Sequence, residues 1–380
     1  MRLLPGALVA LMMATTAGCA GGGEPGGPSA SPAAAIRLGT LVPLTGRSSA
    51  SGEDMVSAAR MAVDEANAAG GVLGRRVELV VGDDACDAGT AVTAARNLVA
   101  QDITVSVGGY CSSATVPTLR IFRAAGVPMV VAASNSTDLL TPKYDNVFLL
   151  SGTVAAEAEF AAAWMTGSGA RRLAVVHDGT SFPVTLAEAS VAAGRSGGLT
   201  VTGEWEISQG AESYSRTAHA VIASGADVVY FTGYYGEARQ LVIDLRSQGY
   251  RGRIVVGDGA TDGPLLDGLT GAQTTGLYAT ALLVPGLMPE LAAWSERYRA
   301  AAGAAPGTST VEAYDAVTVA LDAIRRAGST DREAVRKALA GTGLTALSGP
   351  VSFQADGTRT TPRFLLLQAT GTQFRLAPQS

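Results

Sequence analysis

Four short stretches carry residue types that can hold a small polar molecule. In the first, Gly108-Gly109-Tyr110-Cys111-Ser112-Ser113, two glycines lead into an aromatic, a thiol and two hydroxyls. Glycines let a ligand approach the backbone. Ser112 either caps a following helix or leaves helix-start N–H groups to attract a carboxylate. In the second, residues 132–138 read AASNSTD and set Ala133 and Asn135 among small hydroxyls. These either cap a short helix or face the same ligand. The third is Gly233-Tyr234-Tyr235-Gly236-Glu237. Its tyrosine pair can wall a cavity or pack in a core. The last, Gly257-Asp258-Gly259-Ala260, sets a carboxylate between glycines. Asp258 can accept from an ammonium group or sit in a solvated turn. Together the stretches describe anion-binding helix starts on one wall and a carboxylate with an aromatic on the other. That is the complement of an amino-acid zwitterion.

The elements between these stretches decide whether they meet. Apolar periodicity predicts strands at 36–42, 77–81, 103–107 and 128–131, with helices at 53–68, 88–100 and 113–124. The pattern renews after Gly152. Helices are expected at 155–165, 184–193, 214–223 and 238–248, and strands at 172–176, 200–205, 227–232 and 253–256. Longer helices follow at 289–302 and 312–326, then a strand pair at 349–353 and 363–368. Such alternation implies α/β architecture with parallel sheets covered by helices. The roughly 345 residues from Ile36 onward exceed what one core organises, so two doubly wound lobes are expected. In doubly wound sheets ligands bind beyond the carboxyl ends of strands. The loops that matter therefore follow Val42, Val107, Val131, Val176, Thr232 and Val256.

The first residues read as an export signal. Arg2 precedes an apolar run at 3–13, too short to span a bilayer as a helix. The run leads to Thr16-Ala17-Gly18-Cys19, which resembles a bacterial lipobox, with Thr16 where Leu is usual. Residues 1–18 are thus expected to be a signal peptide and Cys19 a lipidation site. An extracytoplasmic, lipid-anchored location follows; ordinary cleavage leaving a free Cys19 is the alternative. Residues 19–35 are rich in Gly, Pro, Ser and Ala and read as a spacer. Their GxGxxG, starting at Gly21, follows no strand and contains Pro25, so it is not a nucleotide loop.

Past Cys19 only Cys86 and Cys111 remain. In an exported chain this suggests one disulfide, with two buried thiols as the alternative. No CxxC or Cys/His cluster is present, so no metal or other cofactor is expected. The net charge of −5, without a basic run, argues against nucleic acid.

An enzyme, in particular a hydrolase, is the rival class. Gly194-Arg195-Ser196-Gly197-Gly198 matches GxSxG. A nucleophile elbow needs strand, Ser, then helix, whereas the order here is helix, Ser196, strand. The chain has two histidines. His219 falls on a predicted helix surface. His177 stands at a strand end without a nucleophile at any recognised spacing. Catalysis is therefore not expected.

Several segments together resemble the leucine/isoleucine/valine-binding proteins. They are Asp83-Asp84-Ala85-Cys86-Asp87, Gly108 to Ser113, Val176-His177-Asp178 and Val229-Tyr230-Phe231-Thr232-Gly233-Tyr234-Tyr235. Residues 67–74 (NAAGGVLG) and Ala313-Tyr314-Asp315-Ala316 belong to the same likeness, which runs from Ile36 to about Gln368. The resemblance implies a two-lobed periplasmic-binding fold with a three-segment hinge and a Cys86–Cys111 disulfide. One lobe would comprise residues 36–152 with 281–346, and the other 153–280 with 347–380. It also implies a monomer that delivers a branched-chain or other aliphatic amino acid, or an amide or analogue, to an ABC permease. A sensor of the same fold that reports to a membrane partner is the alternative.

Carried over by position, Ser112 and the loop around Ala133 would grip the ligand's carboxylate and ammonium. Tyr110 and Cys111 would line an aliphatic pocket. Tyr234 would close over the ligand, and Asp258 would lie near the acidic partner of the ammonium. Three positions depart from the family: Ser51-Gly52 where an aromatic is frequent, Asn135 where Thr is favoured, and Phe182-Pro183 where Tyr-Gly stands. They imply an altered side-chain pocket behind a retained grip.

Overall fold

A computed structural model describes residues 34–261 and 265–378. The signal, Cys19 and the spacer up to residue 33 lie outside the described residues. Fourteen strands fall into two main sheets and a small hairpin among the described residues. β1 (Ile36–Val42), β2 (Val77–Asp83), β3 (Val105–Ser106), β4 (Met129–Val131) and β5 (Val147–Leu149) form a parallel sheet in the order β2-β1-β3-β4-β5. Central β1 is buried on both faces except at Arg37. Its near-continuous apolar run is that of a parallel strand covered by helices on each side.

The second sheet holds β6 (Arg172–His177), β7 (Thr200–Glu206), β8 (Val228–Phe231), β9 (Arg253–Val256) and β10 (Leu277–Ala281), all parallel. β11 (Gly343–Ala346) and β12 (Gly349–Ser352) pair only with each other. β13 (Leu365–Thr370) and β14 (Gln373–Leu376) extend the second sheet antiparallel, giving β14-β13-β10-β9-β8-β6-β7. The expected pairing of 349–353 with 363–368 is therefore corrected. β12 takes β11 as its partner and β13 takes β10, because an intervening segment holds the two apart. The amides of Leu347 and Ser348 bond to the Asp315 carboxylate, and Leu149 N–H donates to Gly357 O.

The same contacts tie residues 347–360 to the first sheet. The chain rejoins the second sheet only at Leu365, later than the expected boundary at 346/347. It passes between the sheets twice before this, between Leu149 and Val154 and again after Ala281. The helix Thr310–Ala327 lies along the helix Ser49–Ala68 and covers the first sheet.

Three further helix expectations change. The predicted helix at 113–124 divides into one turn at Ser112–Thr115, a 3-10 turn at Val116–Thr118 and a short helix at Leu119–Ala124. Pro117 sits in the middle piece and has no N–H to continue the ladder. Helix Ser181–Ser196 begins earlier than expected and takes in Phe182 and Pro183, since proline is tolerated in a first turn. Ser51 and Gly52 lie inside helix Ser49–Ala68 rather than in the preceding loop.

Candidate functional site

The carboxyl ends of strands from both sheets meet at one cavity. Tyr110 follows β3, and Ala133 and Asn135 follow β4. Facing them are Phe182 after β6, Tyr234 after β8, and Asp258 with Gly259 after β9. The cavity volume is about 30 Å³. Its walls therefore lie close together.

The wall from the first sheet is built by backbone. Gly109 sits at φ +102°, a conformation that favours glycine, and its carbonyl accepts from the N–H groups of Ala133 and Ser134. This locks the loop after β3 to the loop after β4. The buried hydroxyls of Thr115 and Ser134 bond at 2.8 Å and reinforce the junction.

The opposite wall is aromatic and acidic. The rings of Phe182 and Tyr234 are tilted, with centroids 5.8 Å apart. Gly259 fits beneath them because it lacks a Cβ, which would come within 2.8 Å of Phe182. Asp258 opens a 3-10 turn, Asp258–Ala260, at the end of β9. Asn135 Nδ2 donates to Asp258 Oδ2 at 3.3 Å and so bridges the two walls.

Other polar contacts cross nearby. Ser136 Oγ bonds to Ser181 Oγ at 2.9 Å, and Ser181 Oγ donates to Asp138 at 2.7 Å. Arg47 pairs with the buried carboxylate of Glu237 at 2.8 Å, and the Tyr235 hydroxyl donates to Arg47 O at 2.7 Å. These close the outer edge of the cleft. A second cavity opens behind this edge and shares Tyr234 with the first.

Six of the residues singled out from sequence line the first cavity: Tyr110, Ala133, Asn135, Phe182, Tyr234 and Asp258. Two take other places. Cys111 lines the second cavity, where it is joined to Cys86 by a disulfide with Cα atoms 5.3 Å apart. Ser112 is fully buried and lines neither cavity; its hydroxyl accepts from Ser136 N–H at 3.3 Å and holds the neighbouring loop. Nor does Ser112 cap the helix. Cys111 is the N-cap and Ser112 the first helical residue, in a helix of a single turn.

Sequence reasoning missed Thr261, Leu282, Thr308 and Ser309, which complete the cavity. Leu282 follows β10, a strand not among those expected from the apolar pattern. Ser309 sits at φ +61° ahead of helix Thr310–Ala327, and nothing in the local sequence marks it.

The features of the rival enzyme reading fall elsewhere. Ser196 ends helix Ser181–Ser196. His177 Nδ1 accepts from Gly179 N–H at 3.1 Å, and its Nε2 lies 3.4 Å from Glu204. Both ring nitrogens are used in holding the end of β6. Among the described residues no cluster of three or more His, Cys, Asp or Glu could hold a metal ion.

Buried carboxyls adjoin the site. Burial pushes Asp84 up to about 6, against a bond from Cys86 N–H and with repulsion from Asp83. Glu157 is raised by burial, opposed by hydrogen bonds from Thr280, the Asp258 amide and Tyr230 and by its interaction with the Asp258 side chain.

Comparisons with known proteins agree with this architecture. The sequence profile of the periplasmic binding protein family matches residues 35–373. A Leu/Ile/Val-binding protein homolog 3 of Brucella melitensis is 31% identical over 334 residues, covering 87% of this chain and 90% of the relative. An amino acid binding protein of Pseudomonas aeruginosa is 30% identical over 299 residues, covering 78% and 80%. The crystal structure of the leucine binding protein LivK of Thermotoga maritima superposes with a TM-score of 0.82 at 25% identity, covering 90% of this chain and 98% of that one. The LivK structure shares the α/β fold described above, and the chain belongs to the periplasmic binding protein family.

Proposed function

We propose that this protein is the extracytoplasmic substrate-binding component of an ABC-type importer and takes a branched-chain or other aliphatic amino acid between its lobes. One observation carries the reading. A single cavity joins the Asn135–Asp258 bridge to apolar and aromatic walls from Tyr110, Phe182, Tyr234 and Leu282. A carboxylate suits an ammonium group, and the rings and Leu282 suit an aliphatic side chain. The names of the Brucella and Pseudomonas relatives and of the Thermotoga structure support the same ligand class.

In this reading the ligand draws the lobes together by hinge motion. The contacts Ser136–Ser181 and Arg47–Glu237 hold the shut form. Cys19 carries the lipid that keeps a single-chain receptor beside its permease, and no catalytic step is involved. A thermal-shift screen of the standard amino acids tests the ligand class. Aliphatic amino acids raise the melting temperature if the reading holds. No shift with any amino acid contradicts it.

A further inference from the structure

The acidic residue of the cavity is backed by a second carboxyl that does not line it. Glu157 lies in the first turns of helix Val154–Gly167 and is fully buried. Its Oε1 accepts from Thr280 Oγ1 at 2.6 Å, from Asp258 N–H at 3.0 Å and from the Tyr230 hydroxyl at 3.3 Å. Its Oε2 is buried and has no hydrogen-bond partner among the described residues.

The titratable groups facing this carboxyl are Tyr230 from β8 and Asp258 from the turn after β9. β10 contributes the neutral Thr280. None of these is a cation. Two ionised carboxyls side by side in such surroundings are unfavourable, and the helix start compensates only weakly. Burial accordingly raises the Glu157 carboxyl above its ordinary range, against the hydrogen bonds from Thr280, the Asp258 amide and Tyr230 and a side-chain hydrogen bond with Asp258.

The geometry also closes a circuit. Asn135 O accepts from Val154 N–H at the start of the helix that carries Glu157. Glu157 holds the Asp258 backbone, and the Asp258 carboxylate accepts from the Asn135 side chain. Displacing Glu157 therefore releases the turn that aims Asp258.

We propose that Glu157 is a positioning residue of the ligand site: it fixes the Asp258 turn, and with one proton held between the two carboxyls the pair offers a single negative charge to an amine. This rests on the amino-acid reading of the cleft. One charge matches one ammonium group, whereas two would favour a divalent cation.

Glu157→Gln keeps the shape without the charge, and Glu157→Ala removes both. Calorimetry with L-leucine, L-isoleucine and L-valine at pH 7 is paired with an infrared difference spectrum, wild type minus Glu157→Gln, taken without ligand. The expected spectrum contains the stretch of one protonated carboxyl. Glu157→Gln is expected to bind within about threefold of wild type with an unchanged pH profile, and Glu157→Ala at least about tenfold more weakly. A difference spectrum without that stretch overturns the proposal. So does Glu157→Gln losing as much affinity as Glu157→Ala, or tighter binding of calcium than of any amino acid. If the wild type takes none of the three amino acids, the ligand reading fails by itself, and the spectrum still decides whether the pair holds the proton.

Discussion

Asn135 and Asp258 are 123 positions apart in the chain and 3.3 Å apart in the fold, one side-chain amide donating to one carboxylate across the cleft. Each comes from the loop after a different sheet's strand, so the bond exists only while the lobes are together. It also holds the Asp258 carboxylate at the cavity wall.

Removing that carboxylate tests its role. Asp258→Ala is expected to weaken amino-acid binding by roughly 2–5 kcal/mol, the scale for losing a buried charged partner. Calorimetry on the variant measures this. An unchanged affinity removes Asp258 from the ligand site.

Gly259 sets the spacing of the aromatic wall. A Cβ there comes within 2.8 Å of the Phe182 ring and 3.3 Å of the Tyr234 ring. Gly259→Ala should therefore reshape the cavity more than it destabilises the fold. The expected result is at least about tenfold weaker binding with a stability loss under about 1.5 kcal/mol. Equal affinity in wild type and variant would mean that the aromatic pair does not contact the ligand.

The Cys86–Cys111 disulfide closes a loop of sequence separation 25 beside the cleft. In the chain-entropy account such a loop contributes about 3–4 kcal/mol. Chemical denaturation with and without a reductant should differ by that amount, and coincident curves would contradict it.

Glu312 supplies a pH dependence of stability. It is fully buried, its Oε2 lacks a hydrogen-bond partner, and burial with repulsion from Asp315 pushes it up to about 7, against the attraction of Arg359. Between its ordinary 4.5 and about 7 the folded chain keeps a proton that the unfolded chain has released. Stability therefore falls as pH rises through that window, by up to ~3 kcal/mol, and levels off above it. Glu312→Gln removes this slope. Urea midpoints at pH 5 and pH 8 measure it, and a wild-type-to-variant difference that is the same at both pH values contradicts the assignment.

Much of this architecture could be read in the sequence because parallel α/β folds announce themselves locally. Apolar strand runs such as that of β1 alternate with amphipathic helices, and the loops after the strands carry the polar residues. Tyr110, Asn135, Tyr234 and Asp258 were legible for that reason. What escaped depends on long-range packing. Residues 347–360 stay with the first sheet through Asp315 and Leu149, partners far away in sequence. Ser112 reads as an exposed cap by type, yet Ser136 from the next loop takes its hydroxyl inside. Glu157 looks like an ordinary first-turn glutamate, and only the three elements that converge on it show otherwise.

The most direct test of the central claim is calorimetric titration of the purified protein with aliphatic amino acids and with 4-methylpentanoate, which keeps the carboxylate and side chain of leucine but lacks the amine. The account predicts saturable one-to-one heat with at least one aliphatic amino acid and none with 4-methylpentanoate. No heat with any amino acid, or equal affinity for the compound without the amine, would contradict it.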